Sequence, residues 1–503
     1  MKKIFSLLIV LPIIFSVIAC GSDSNGLVED QYSKIPDDAK NFIDVTLGKK
    51  PLYARLAYTE EGKNPTKDFV LTVDFSKFTT ADLSVYDPTL ASISAMLALD
   101  MYYGSTYLEV KDPIDGKYKN DKTPNSFLKY MGGKDPRYFD VAELETFTHD
   151  INDVSTLTMA HMDFTVNGEK QQLFITNVKG SSYKKEWYSN FDMGQKDDSL
   201  YTDDVKAEHP DWTTYENFKG FDVTKNRAQK YVKKYVDAYK DDTAKQTYAF
   251  FGHSRGGVIA SLLAKDFVDS NLRTVNYSVC APLYTQSSDI VKYKTLFVDS
   301  LDSDICGNFP PTSLGFKAFG TRNVRHIDED AYADKFEEFF HKEYVSMEIE
   351  NILNFATSYL KDRKSAYNYF PEIDEDNEKF VFDTEDEAKE EYKNLQSSIK
   401  PNTNISKYVK VNAPIKEDNE WVVAYNVTPY YPLALVLDIL VLLDSGQGDE
   451  IASYIFDSLK FGGRFIDALL DNFDIFIGLS VDGFKQAHDP GTMLFYLNQI
   501  LPN

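Results

Sequence analysis

Phe250-Phe251-Gly252-His253-Ser254-Arg255-Gly256-Gly257-Val258 is the stretch that decides how this chain folds. It contains G-x-S-x-G, preceded by strand-like Thr247–Phe251 and followed by helix-like Gly256–Phe267. In that context the pattern predicts a nucleophile elbow, a tight strand-to-helix turn with serine at its apex. Such a turn leaves no room for side chains two positions before and two after, and Gly252 and Gly256 supply that room. The Ser254 hydroxyl is then expected at the carboxyl end of a sheet, beside a helix amino terminus whose N–H groups can hold an oxyanion.

A serine hydroxyl attacks poorly until a base takes its proton, so the elbow calls for an acid and a histidine later in the chain, in the order Ser, Asp, His. That order removes His149, His161, His209 and His253 as bases. Downstream, strand-like Thr295–Val298 ends in Asp299-Ser300-Leu301-Asp302-Ser303-Asp304, and spacing alone does not choose among the three aspartates. The remaining histidines are His326 in an edge-strand-like segment, His341 in a charged amphipathic helix, and His488 in the loop Gln486–Gly491. His488 leads, because functional side chains are often held on loops.

Upstream, Val154–Met162 and Gln172–Val178 are β-rich runs flanking Asn167-Gly168, the pair best suited to a type I′ hairpin turn. The period then changes to that of a helix over Asp222–Tyr239, with Asp222 expected to start it and Ala228, Tyr231, Val232, Tyr235 and Val236 on one face. Strand, helix and strand alternate from there to Val298, which predicts an α/β fold with a mainly parallel central sheet covered on both faces. Residues 41–150 carry a strand at Asp68–Phe75 and a helix at Pro88–Tyr103, expected to pack onto the body formed by 41–342.

Residues 343–474 break the alternation with a charged run, Asp374–Tyr392, and the apolar stretch Leu433–Leu443. That stretch is too short to cross a bilayer and is interrupted by Asp438, so it reads as a buried helix or part of a lid. A helical, lid-like insertion is expected over 343–474, with 475–503 returning to the main domain and carrying the histidine.

The chain has 503 residues, of which 43% are apolar and 26% charged, a composition that folds rather than stays disordered. Its net charge of −24 repels phosphate backbones and excludes nucleic acid as a partner. Lys2-Lys3, the apolar run Ile4–Ile18 and small Ala19 before Cys20 have the layout of a secretory signal over 1–19. Val17-Ile18-Ala19-Cys20 resembles a bacterial lipobox, which implies lipidation of Cys20, a tether over 20–40 and a place on a membrane of the cell envelope. An uncleaved membrane anchor fits less well, since the run is short and broken by Pro12. Cys280 and Cys306 are too few for a disulfide scaffold or a zinc cluster and read as small apolar residues.

Several ordered blocks together resemble the class 3 (fungal-type) lipase family of α/β-hydrolases. Val178-Lys179-Gly180-Ser181-Ser182, followed by Glu186-Trp187, is similar to the family's R-G-[ST] block. Gly252-His253-Ser254-Arg255-Gly256-Gly257 is similar to G-H-S-x-G-G, and Asp304–Pro310 to D-x-V-x-x-x-P. Ala487-His488-Asp489 with Tyr496 resembles the late H-[SD]…Y block. The resemblance implies Asp304 as the acid, His488 as the base, and Ser181 with the backbone N–H of Arg255 as oxyanion donors. It also implies a lipid or other carboxylic ester as substrate, with no metal or organic cofactor. Lys179 stands where the family has Arg, and Arg255 where Leu is common. An acyltransferase or amidase using the same three residues, and a non-catalytic envelope binding protein, are the alternatives.

Overall fold

The computed structural model describes residues 49–57, 66–74, 77–102, 107–111, 118–119, 126–140, 155–181, 217, 219–309, 312, 315–326, 329–340, 344, 349–350, 353–354, 379–398, 409–427 and 486–500. The signal, Cys20, the tether, Trp187, His341 and Leu433–Leu443 lie outside the described residues. No helix of the described residues is long and apolar enough to cross a membrane. These residues fall into two compact units, one containing those at 49–181, 217–349 and 486–500, the other those at 350–427.

In the first unit, β1 (Lys49–Ala57), β2 (Thr66–Asp74), β3 (Tyr107–Lys111) and β4 (Tyr118–Lys119) make a four-stranded antiparallel sheet in the order β2-β1-β3-β4. The main sheet has seven strands: β5 (Lys134–Asp140), β6 (Thr156–Val166), β7 (Glu169–Val178), β8 (Lys245–His253), β9 (Thr274–Val279), β10 (Leu296–Leu301) and β11 (Thr321–Arg325). Their spatial order is β11-β10-β9-β8-β7-β6-β5. The five strands β7 to β11 are parallel to one another, and β5 and β6 pair antiparallel at the other edge. The β6–β7 hairpin turns at Asn167 and Gly168, with φ of 51° and 81°, as a type I′ turn requires.

Because successive parallel strands are added in one direction, right-handed crossovers put their helices on one face and leave the other to segments from elsewhere. Helix α1 (Pro88–Met101) is started by Asp87, whose carboxylate accepts from the Thr89 N–H at 2.9 Å, with Pro88 at the first helical position. Leu90, Ile93, Leu97 and Met101 are buried as their spacing implies, but so are most of its remaining residues. Alternation along β8 divides the two faces. Ala249 and Phe251 join the core cluster with Ile93 and Leu97, while Tyr248 and Phe250 meet Phe267 at centroid distances of 4.9 and 5.1 Å.

Helix α2 (Lys219–Tyr239) starts three residues before Asp222, so that residue is not its cap; its carboxylate instead accepts from the Asn217 side chain at 3.2 Å. Helix α3 (Arg255–Asp269) follows the elbow. Strand β10 runs to Leu301, which places Asp299 within the strand rather than at its end. Cys280 and Cys306 are free thiols. Beyond β11 lie α4 (Glu329–Phe340) and, in the second unit, α5 (Glu385–Ser398).

The expected insertion is described only in part, and there the second unit combines helix α5 with strands. Its described residues carry an antiparallel sheet of β12 (Lys379–Phe382), β13 (Val409–Val411), β14 (Ile415–Glu417) and β15 (Glu420–Val427). Trp421-Val422-Val423-Ala424-Tyr425 is rich in β-branched and aromatic residues, and Asp418-Asn419, both at positive φ, turn β14 into β15. Helix α5 opens with a capping box in which Thr384 and Glu387 satisfy each other's N–H groups at 3.2 and 3.3 Å. The final helix, α6 (Pro490–Ile500), returns to the first unit and buries Met493, Leu494 and Phe495 in the α1-side core.

Candidate active site

Strand β8 delivers Ser254 to the head of α3 with φ 54° and ψ −131°, a conformation that a non-glycine residue holds only where its surroundings enforce it. The enforcement is local. The Ser254 N–H donates to the Val279 carbonyl at 3.0 Å, and the Ser254 carbonyl accepts from the Gly257 N–H at 2.9 Å. A Cβ on Gly252 would come within 2.5 Å of the Gly256 carbonyl oxygen, and one on Gly256 within 2.2 Å of the Val178 carbonyl oxygen. Backbone occupies the space that side chains would need.

Ser254, His488 and Asp304 are hydrogen-bonded in series. The Ser254 hydroxyl lies 2.8 Å from His488 Nε2, and His488 Nδ1 lies 3.0 and 3.1 Å from the two Asp304 carboxylate oxygens. With carboxylate oxygens as acceptors, Nδ1 carries the ring hydrogen and Nε2 presents its lone pair to the serine. Asp304 is fully buried, so its charge depends on these partners. It sits in a turn closed by Asn308, whose side-chain amide donates to the carbonyls of Leu301, Asp302 and Asp304 at 2.9, 3.2 and 2.7 Å.

His488 stands just before α6, which Asp489 caps by accepting from the Gly491 N–H at 2.5 Å. Its own carbonyl oxygen is 2.8 Å from Nε2 of His253, whose Nδ1 is 2.9 Å from the Tyr102 hydroxyl. His253 is buried, and that burial, with the neighbouring His488 ring, pushes its pKa down to about 3. It is neutral at ordinary pH.

The other two aspartates are engaged elsewhere. Asp299, fully buried, accepts from the Tyr86 hydroxyl at 2.9 Å and from Arg325 Nη2 at 3.1 Å; burial nevertheless raises its pKa to about 6. Asp302 pairs with His326 Nδ1, and that imidazole is largely exposed. Of the alternative bases, His326 is therefore on the surface.

Ser181 follows Gly180 at the end of the β7 segment, whose Val178 and Lys179 carbonyls pack against Gly256. The Arg255 N–H falls in the first turn of α3, where amides point out of the helix end. The Arg255 side chain is buried, with Nη2 donating to Thr224 Oγ1 at 2.8 Å.

Two sets of donors lie close enough together to hold a metal ion: His253, Cys280 and His488, and Asp304, Cys306 and His488, each within 4.8 Å. Both thiols are held well above their usual pKa, by desolvation first and by the Asp304 carboxylate second, so they stay protonated. The imidazoles and the carboxylate are already engaged in the hydrogen bonds described. The donor chemistry fits proton transfer better than a resident cation.

Sequence reasoning missed Tyr102 and His253 as members of this site. His253 had one signal, its place immediately before the elbow serine; nothing local marks Tyr102.

The seven-stranded sheet with its elbow, and the Ser–His–Asp series at the carboxyl end of β8, define an α/β-hydrolase fold. Within that class, residues 175–297 match the family model described as Lipase (class 3). Solved structures similar to the chain include a triacylglycerol lipase described as having a serine protease triad as its catalytic centre, at 21% identity, covering 36% of this chain and 64% of that one, TM-score 0.25. The chain thus spans just under two thirds of that lipase. A lipase from Rhizopus microsporus var. chinensis is 15% identical over 60% of this chain and 84% of its own, TM-score 0.27. A mono- and diacylglycerol lipase from Aspergillus oryzae is 15% identical over 47% and 79%, TM-score 0.31. Among curated proteins, none matches in sequence.

Proposed function

We propose that this protein is a serine hydrolase of carboxylic esters, with acylglycerol-type lipid esters as its substrate class. The observation that carries the reading is the 2.8 Å approach of the Ser254 hydroxyl to His488 Nε2, with the far side of the ring on a fully buried carboxylate. Ser254 attacks the ester carbonyl as His488 takes its proton, and Asp304 orients the ring and stabilises the imidazolium. Ser181 and the Arg255 N–H hold the oxyanion. The imidazolium then protonates the leaving alcohol, and water, deprotonated by the same ring, releases the acid and frees Ser254. The lipid preference draws on the matched class 3 lipase segment.

Attachment to an envelope membrane through an acylated Cys20 belongs to the same proposal and draws on the sequence Val17–Cys20. The test of the activity is hydrolysis of p-nitrophenyl esters of graded chain length by the 21–503 fragment and its Ser254→Ala variant, beside fluorophosphonate labelling. Turnover that rises with acyl length and vanishes in the variant supports the reading; equal rates overturn it.

A further inference from the structure

His253 takes no part in the proton path, yet it is buried at the centre of the site and bonded through both ring nitrogens. Nε2 faces the His488 carbonyl oxygen at 2.8 Å, and a carbonyl only accepts, so this nitrogen must carry the hydrogen. In a neutral imidazole Nδ1 is then a bare lone pair, and the Tyr102 hydroxyl at 2.9 Å is the donor that meets it. The order of donation is therefore fixed: Tyr102 O–H to Nδ1, Nε2–H to the main chain of His488.

We propose that Tyr102 and His253 form a positioning relay that selects one tautomer of His253 and thereby holds the backbone of His488 where its ring reaches both Ser254 and Asp304. The inference rests on the hydrolase reading above. Without the tyrosine hydroxyl, the Nδ1–H tautomer of His253 becomes accessible and turns the Nε2 lone pair against the His488 carbonyl oxygen. Acceptor then faces acceptor in a dry site, and the His488 backbone must move.

The relay is itself rigidly mounted. Tyr102 ends α1, its N–H donating to the Leu99 carbonyl at 3.1 Å, and its ring stands edge-on to that of His253 at 85°. The Lys179 ammonium lies 5.6 Å from the centre of the tyrosine ring, where a cation withdraws electron density and strengthens the hydroxyl as a donor. Gly180 closes over the contact. A Cβ there would come within 2.1 Å of the Tyr102 hydroxyl and 3.2 Å of His253 Nδ1. One relay thus borders the residue before Ser181 and reaches the proposed base.

The experiment compares full-length wild type with Tyr102→Phe, His253→Leu and His253→Gln. It reads kcat and KM on a short soluble p-nitrophenyl ester, and the His253 tautomer by long-range ¹H–¹⁵N correlation spectra. Misplacement of a reacting group by about 1 Å costs on the order of 10²-fold in rate. His253→Leu is expected to lose kcat by about that factor. Tyr102→Phe is expected to lose about tenfold, with KM unchanged and the Nδ1–H tautomer appearing in the spectrum. His253→Gln, whose amide can donate to the His488 carbonyl and accept from Tyr102, recovers most of the rate. Wild-type kcat in Tyr102→Phe with a pure Nε2–H tautomer overturns the relay, as does a glutamine variant no better than leucine. Should His253→Leu not fold, the Tyr102→Phe pair of measurements decides alone. A folded wild type that neither hydrolyses esters nor takes up fluorophosphonate overturns the hydrolase reading instead, while the tautomer spectra still judge the relay.

Discussion

The α-carbon of Gly256 sits so close to the carbonyl of Val178 that a methyl group added to it would lie 2.2 Å from that oxygen. The contact locks the first turn of α3 onto the end of β7, joining the serine's helix to the strand that leads to Ser181. Gly256→Ala is expected to cost about 3 kcal/mol or more, because the obstacle is backbone and cannot rotate away. Urea unfolding checks this, and the folded fraction should label slowly with fluorophosphonate.

Asp304→Asn places an amide where a carboxylate holds the Nδ1 hydrogen of His488. The amide nitrogen can only donate, which favours the tautomer with its hydrogen on Nε2 and removes the lone pair facing Ser254. The expected loss in kcat is about 10⁴, similar to that of Ser254→Ala, with KM little altered. Steady-state kinetics on a soluble ester read it, and Asp299→Asn, whose side chain pairs with Tyr86 and Arg325 outside this hydrogen-bond series, should leave kcat within about threefold of wild type.

Stability should depend on pH through two buried groups acting in opposite directions. His253 is lowered from 6.5 to about 3 by burial, so the stability it contributes is complete above pH 6.5 and is lost as pH falls toward 3, by about 1.4 kcal/mol per unit. Asp299 is raised from 3.8 to about 6, so its contribution is present at acid pH and lost as pH rises from 3.8 through 6. Urea midpoints between pH 4 and 7 should fall less steeply toward acid in His253→Gln than in wild type, and more steeply in Asp299→Asn. Parallel curves for all three proteins would contradict the assignment.

Cys280 is buried and Cys306 half-buried, and both thiols are held well above their usual pKa, so neither should alkylate readily in the native state at pH 8. Mass spectrometry after iodoacetamide should find both modified only after denaturation.

The elements most legible in the sequence were those specified by local chemistry. Asn167-Gly168 fixes its own turn type, and the glycines around Ser254 announce the elbow by their spacing. Asp304 was not separable from Asp299 and Asp302 by spacing, because the choice is made by partners distant in the chain: Arg325 and Tyr86 engage Asp299, while His488 engages Asp304. The start of α2 was misread at Asp222 because that carboxylate serves Asn217 from inside the helix. In the second unit the charged run leads into helix α5, while β15 was not legible because it is stabilised by pairing with strands on both sides. Tyr102 was invisible for the same reason as the aspartates, since its partner His253 lies 151 residues away.

His488 follows Asp304 by 184 positions. At ribosomal rates of about 5–20 residues per second, His488 is made on the order of ten to forty seconds after Asp304. Until then the Ser254 hydroxyl has no His488 ring to meet. The same interval leaves the α1 side of the sheet without α6, so an oily surface must be shielded from neighbours until synthesis reaches Met493–Phe495. Bringing His488 to Ser254 and covering that surface both wait for the same late stretch of chain.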